Sequence, residues 1–253
     1  MSDRYSVVVK KLTKSYDGKN VVNGISFEVK SGEVFGILGP NGAGKTTTLE
    51  MIETLRPIDG GSIRVNNIDV ANNPRAIKYI IGVQPQNPAF QDKTKLTEIL
   101  EMFAASYGEQ IDPYEFLKDV DLQDKANSYV ESLSGGQQQR FSIAAALVHK
   151  PKVFFMDEPT TGLDPQARRN LWGLVKKIRD AGVTIIMTTH YMDEAEILCD
   201  RVAIMDNGEI IALDTPKNLI KNLLKKGFTK KSKVEQANLE DVFIDITGKA
   251  LRE

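Results

Sequence analysis

Apolar and polar positions alternate at the start of the chain. Val7-Val8-Val9 and Ile25-Ser26-Phe27-Glu28-Val29 read as strands on either side of the turn Asp17-Gly18-Lys19-Asn20, the second with the strict alternation of a half-exposed strand. The unbroken apolar run Val34-Phe35-Gly36-Ile37-Leu38 reads instead as a strand buried on both faces, and a helical pattern follows from Gly44 to about Leu55. Arg56-Pro57-Ile58-Asp59-Gly60-Gly61 breaks that helix, and Ser62-Ile63-Arg64-Val65 begins another short strand.

Between about Asn87 and His149 the period becomes that of helices. One runs from near Thr97 through Ile99, Leu100, Phe103 and Ala104 toward Gly108. A second opens at Asp112-Pro113-Tyr114-Glu115, with an Asp cap, Pro at the first helical position and Glu where a capping box needs it. A third follows Ser134 and stops before Pro151, so this stretch is expected to be an inserted helical subdomain. Two apolar strands come next, Val153-Phe154-Phe155-Met156 and Thr184-Ile185-Ile186-Met187. The helix between them, around residues 168–179, makes a βαβ unit and implies a parallel sheet. Val202-Ala203-Ile204-Met205 and Ile210-Ile211-Ala212-Leu213, joined at Asn207-Gly208, form an expected closing hairpin.

The last part differs in composition. Residues 217–233 are lysine-heavy and read as a solvated helix and linker rather than a patch for anionic lipid. Leu239, Val242, Phe243 and Ile246 then fall on one helical face, with Asn238 as cap and Gly248 as stop, which predicts a terminal amphipathic helix.

Composition narrows the function classes. With 253 residues, 41% of them hydrophobic, the chain can bury a sizeable core, as one large domain or a core with an insertion. A formal net charge of -1 gives no reason to expect a nucleic-acid partner. The single cysteine, Cys199, excludes an intrachain disulfide framework and suits a reducing compartment. No run is apolar enough for a secretory signal or a bilayer span, so a membrane role is expected to come through a partner.

Candidate chemistry sits at the turns after the apolar strands. Gly39-Pro40-Asn41-Gly42-Ala43-Gly44-Lys45-Thr46, between a buried strand and a helix, is a full match to the phosphate-binding loop pattern. Its glycines let backbone N–H groups turn toward a polyphosphate at a helix N-terminus, Lys45 would neutralise the β and γ phosphates, and Thr46 would take a Mg²⁺ position. The 153–156 strand delivers Asp157 and Glu158 to the carboxyl edge of the sheet, where ligands bind. There Asp157 can hold Mg²⁺ and Glu158 can polarise an attacking water. Leu133-Ser134-Gly135-Gly136-Gln137 opens a helix and is either a second anion cradle or an ordinary serine cap.

In this order and spacing, the 39–46 loop, Leu133-Ser134-Gly135-Gly136-Gln137 and Met156-Asp157-Glu158-Pro159-Thr160 resemble the nucleotide-binding subunit of an ABC transporter, over about residues 5–213. The resemblance implies an α/β fold: a phosphate-loop NTPase (RecA-like) core with a mixed, mainly parallel sheet, an N-terminal antiparallel β subdomain and a helical subdomain inserted at about 87–150. It places the nucleotide-binding domain at 1–215 and leaves 216–253 as an extension. It also implies ATP and Mg²⁺ as ligands, with Thr47 beside the 39–46 loop and Tyr16 stacked on adenine. Gln86 is implied to join the two subdomains and sense Mg²⁺ and the γ phosphate; Gln84 is the competing position. His190 resembles the switch histidine, and Gly162-Leu163-Asp164 the loop that crosses a dimer interface.

By the same resemblance two subunits pair head to tail, as a homodimer or with a related chain. Ser134, Gly135, Gly136, Gln137 and Asp164 of one then complete the ATP site of the other. The expected partner is a separate transmembrane permease, which holds this chain at the cytoplasmic face of the membrane and docks near Pro88, Ala89 and Phe90 unless Phe90 is a satellite core residue. Asn238-Leu239-Glu240-Asp241-Val242-Phe243 resembles the end of bacterial drug and polysaccharide-type exporter ATPases. An importer ATPase, or a soluble ABC ATPase outside transport, is the alternative. His149, at a helix end, reads as a favourable dipole contact.

Overall fold

The computed structural model describes residues 5–225. The first two strands, β1 (Tyr5–Tyr16) and β2 (Lys19–Lys30), are far longer than the alternation suggests, because register shifts along β1 break the alternation without ending the pairing. Asp17 and Gly18 turn the hairpin with φ of 48° and 77°, the positive-φ pair of a two-residue turn that suits strand twist. β4 (Gly60–Val65) pairs with the other edge of β1, and the two-residue β5 (Ile68–Asp69) completes a four-stranded sheet in the order β2-β1-β4-β5.

The second sheet holds the site. Its central strand, β3 (Val34–Leu38), lies between β8 (Thr184–Thr189) and β9 (Arg201–Asp206), parallel to both. β7 (Val153–Asp157) and β6 (Ile81–Gln84) extend it in parallel, and β10 (Glu209–Asp214) closes the other edge antiparallel to β9. The order is β10-β9-β3-β8-β7-β6. Val153 and Phe155 join one apolar core with Phe27, Ile63, Phe35 and Ile186. Phe154 and Met156, which alternate with them, are equally buried on the opposite face. Covering on both faces is why these strands read as continuous apolar runs. Phe27 stacks on Phe35 with ring centres 5.2 Å apart where the two sheets meet.

The helices follow the caps the sequence carries. α1 (Lys45–Ile52) follows β3, then ends sooner than expected: Glu53 caps it and Thr54 turns out at φ 67°. Between β6 and β7 come α3 (Leu96–Ser106), α4 (Pro113–Asp119) and α5 (Gly135–Leu147). Asp112 accepts from the Tyr114 amide at 2.9 Å, but no bond from Glu115 closes a capping box there. At α5 both halves form: Ser134 Oγ accepts from Gln137 N at 3.4 Å, and Gln137 Oε1 accepts from Ser134 N at 2.9 Å. α6 (Pro165–Asp180) crosses from β7 to β8, capped by Asp164.

Among the short elements that escape the sequence pattern are β5, β6, α2 (Pro74–Lys78), α7 (Met192–Leu198) and two 3-10 turns at Gln123–Lys125 and Val130–Ser132. β6 hides behind Gly82, where a Cβ would meet the Ala146 carbonyl oxygen at 2.5 Å; α5 packs too close for any side chain. The chain divides into two compact units at Pro216 and Lys217. α8 (Pro216–Lys225) carries Ile220, Leu223 and Leu224 exposed along one face, so this lysine-heavy stretch is amphipathic rather than uniformly polar. The expected helix at residues 239–246 lies outside the described residues, as do residues 226–233 of the lysine run.

Candidate active site

β3, β7 and β8 end at the same sheet edge, and their following turns supply the site. Gly39 and Gly44 are required by space. A Cβ on Gly39 would meet the Met205 carbonyl oxygen at 2.2 Å, and one on Gly44, at φ 99°, would meet that of Val21 at 2.5 Å. β2 and β9 thus clamp the loop. Pro40, Asn41 and Gly42 lie at the surface, Ala43 is buried and Thr47 half-buried. The Lys45 side chain is 4% exposed and curls under the loop, donating to the carbonyls of Gly39 at 2.9 Å and Pro40 at 3.1 Å.

Lys45 Nζ also lies 3.2 Å from Glu158 Oε1. Glu158 is the hub of the cluster. Its Oε2 is 3.1 Å from His190 Nδ1, accepts from Gln86 Nε2 at 3.4 Å and from Thr161 Oγ1 at 3.3 Å. Its backbone has φ 46°, uncommon for a residue with a side chain. The strained turn is held because Glu158 N donates to both the carbonyl and the hydroxyl of Thr188. Asp157, one residue back, accepts from Thr188 Oγ1 and, at 3.2 Å, from Thr46 Oγ1.

Gln86, and not Gln84, reaches this cluster. Gln84 is fully buried and donates to Gln139 of α5, which ties the sheet edge to the helices. Phe90 packs on Phe103 and Phe141, with ring centres 6.3 and 5.0 Å away. It therefore helps fill the helical layer. Tyr16, at the end of β1, is partly exposed; Arg56 donates to its hydroxyl at 3.1 Å and Lys14 approaches its ring at 5.4 Å.

A separate cleft of about 220 Å³ is lined by Ser134, Gly136, Gln137, Asp164 and Asn170. No hydrogen bond or ion pair among the described residues joins the Ser134 turn to the 39–46 loop. The dipole reading of His149 is corrected. Burial lowers its pKa and disfavours the charged ring that a dipole contact needs, while Nε2 lies 2.8 Å from the Ile81 carbonyl and the ring stacks on Tyr107 at 3.9 Å. Sequence reasoning missed Thr188, whose only signal was its place two residues before His190. It also missed Glu53 and Glu194. Burial, aided by Asp157 and Glu50, pushes the Glu53 carboxyl up to about 8. Burial likewise raises that of Glu194, which accepts from Trp172 Nε1 at 3.1 Å.

A deep lysine under a glycine loop, facing a carboxylate pair across the sheet edge, is an arrangement for holding and cleaving a polyphosphate. A model of the ABC transporter family matches residues 22–161. The chain belongs to that family. Among its relatives, the linearmycin resistance ATP-binding protein LnrL of Bacillus subtilis (strain 168) is 43% identical, over 84% of this chain and 70% of that one. The Nod factor export ATP-binding protein I of Paraburkholderia xenovorans (strain LB400) is 42% identical, over 83% and 71%. The daunorubicin resistance ATP-binding protein DrrA2 of Streptomyces coeruleorubidus is 38% identical, over 88% and 70%. An ATP-binding cassette solved as a post-hydrolysis dimer with ADP and Pi superposes with a TM-score of 0.75 at 27% identity, covering 83% of this chain and 98% of that one.

This ABC transporter subunit therefore binds and hydrolyses ATP to power transport, on the phosphate-loop core described above. Subunits of this kind dimerise and work with membrane components. No helix among the described residues is long and apolar enough to cross a membrane.

Proposed function

We propose that this chain energises export of an amphiphilic or polymeric compound by a separate permease, to which it binds at the cytoplasmic face of the membrane. The names of its relatives, two of them for drug resistance and one for export, support that direction. The observation that carries the catalytic reading is the placing of Glu158 between Lys45, Gln86 and His190.

In this reading the backbone amides of residues 39–46 cradle the phosphates and Lys45 exchanges Glu158 Oε1 for phosphate oxygens. Tyr16 takes the adenine on its exposed face, and Thr47 contacts the α phosphate beside the loop. Freed from Lys45, the Glu158 carboxylate orients a water and accepts its proton, while His190 and Gln86 hold Oε2 in place. Thr46 and Asp157 would hold Mg²⁺ where their hydroxyl and carboxylate oxygens converge at 3.2 Å, with Gln86 proposed to join them, and such a site is completed by phosphate and water rather than by many protein ligands. When bound, the ion neutralises charge on the phosphates. Ser134, Gly135, Gly136, Gln137 and Asp164 close on the ATP of a second copy, head to tail.

Glu158→Gln tests this. It keeps the reach of the side chain but removes the carboxylate, so turnover should fall at least about a hundredfold while ATP binding persists. The variant should collect as a dimer with ATP but not with ADP by light scattering, and adding Ser134→Arg should return it to monomer. Turnover at the wild-type rate would remove Glu158 from catalysis, and a dimer indifferent to nucleotide would remove the shared site.

A further inference from the structure

At the amino-terminal ends of β7 and β8, the edge of the sheet opposite the active site, the protein holds a cavity of about 840 Å³. β7 and β8, five and six residues long, separate it from the catalytic turns by about 17–20 Å at roughly 3.3 Å per residue. That volume lies in the range of small-molecule sites, roughly 300–1,000 Å³. Its walls are apolar: Val120 at the end of α4, Ala144 and Leu147 of α5, Leu174 and Ile178 of α6. Its floor hydroxyls are already satisfied, since Ser6 and Thr184 bond each other at 2.9 Å and the Gly32 amide donates to Thr184. Ser31 accepts from Ser6, so apart from Asn66 the body of a ligand would meet mainly hydrocarbon.

The rim is charged. Lys150, Lys152 and Lys177 stand on it against one carboxylate, Asp119, and none of the three has an ion-pair partner among the described residues. Lys150 keeps its place at φ 51°, the turn that brings the chain from α5 back into β7. Next to Gly182 and Ala181 the mouth is open, with nothing within 4 Å of where a Gly182 Cβ would stand.

An apolar pocket with excess positive charge only at its mouth selects a molecule that is apolar at one end and anionic at the other. We propose that this cavity binds an amphiphilic anion, a single alkyl chain ending in a carboxylate or phosphate monoester, with the chain between α5 and α6 and the head among Lys150, Lys152 and Lys177. The hollow continues along the α5–α6 seam: a second one shares Leu174 and Lys177 with it and reaches Arg140 and Asn170, which also line the Ser134 cleft. The bound chain thus packs against the two helices whose opposite ends carry Ser134 and Asp164.

The probe is dansyl-undecanoic acid, titrated into the full chain and followed by its fluorescence. Saturable binding is expected, with ATP failing to displace the probe. The methyl ester of the same dye should bind at least tenfold more weakly, and shortening the alkyl chain by two methylenes should cost about tenfold. Lys152→Glu combined with Lys177→Glu removes the cationic rim, and Ala181→Trp fills the mouth from an exposed position; each should weaken binding about tenfold or more while ATP binding by calorimetry stays unchanged. The proposal is overturned by absence of saturable binding, by equal binding of acid and ester, by both variants binding like the wild type, or by displacement with ATP. The acid-versus-ester comparison needs only the wild-type protein, so it decides even if a variant fails to fold.

Discussion

Lys45 Nζ and Glu158 Oε1 lie 3.2 Å apart, both in side chains at most 10% exposed. In the proposed reading, the residue that grips phosphate and the residue that activates water thus satisfy each other across the sheet edge. On that proposal, a phosphate group that recruits Lys45 would free the carboxylate in the same event, tying catalytic readiness to correct binding.

Replacing the lysine should therefore act on binding first. Lys45→Ala removes a desolvated charge and its bonds to phosphate, so ATP affinity should drop at least about a hundredfold, or ~2.7 kcal/mol. Calorimetric titration checks it, with circular dichroism to show that the fold survives. Unchanged affinity would show that the 39–46 loop is not the phosphate site.

The two glutamines of the 84–86 segment should separate cleanly. Gln84→Ala strands the Gln139 amide in a buried position, which costs about 1–3 kcal/mol, and should lower the melting temperature. Gln86→Ala alters an exposed side chain, so stability should hold within about 0.5 kcal/mol while kcat falls and ATP affinity changes little. The reverse pattern would exchange their assignments.

Glu53 predicts a pH dependence. Its carboxyl is raised from 4.5 to about 8 by burial and by Asp157, so the unfolded chain gives up this proton first as the pH rises. Stability contributed by the protonated form is complete below about 4.5 and is lost on the way to about 8. Across that window the loss runs at about 1.4 kcal/mol per pH unit at most. Glu53→Gln should flatten this part of the stability profile and raise the denaturant midpoint at pH 8. Parallel profiles for the two proteins would show that Glu53 does not titrate in this window.

Gly44→Ala tests the clamp on the loop. The added Cβ would stand 2.5 Å from the Val21 carbonyl oxygen on a backbone at φ 99°. A cost of about 2 kcal/mol or more is expected from strain and displacement together. For a chain of this size that is a melting point lower by roughly 4–8 °C, with weaker ATP binding. A wild-type melting curve would mean that the loop has room the geometry denies.

Features set by neighbouring residues were legible without the fold. Two glycines and a lysine at fixed offsets define a phosphate loop wherever a strand meets a helix, Ser134 and Gln137 cap α5 whatever lies around them, and Asn207-Gly208 forces a tight hairpin. Each depends on φ preferences or on hydrogen bonds spanning a few positions, and these are written locally. What the tertiary structure decided is what depends on distant partners. β6 is a strand because β7 supplies its ladder and α5 leaves no room over Gly82; its own residues carry too little β signal to say so. Glu158 meets Gln86 and His190 from 72 and 32 residues away only because β6, β7 and β8 end at one edge. Glu53 and Glu194 look like surface acids in the sequence, since nothing local tells a solvated carboxylate from one enclosed by packing. The lysines at residues 150, 152 and 177 likewise become one rim only where α5 and α6 end beside the same strands.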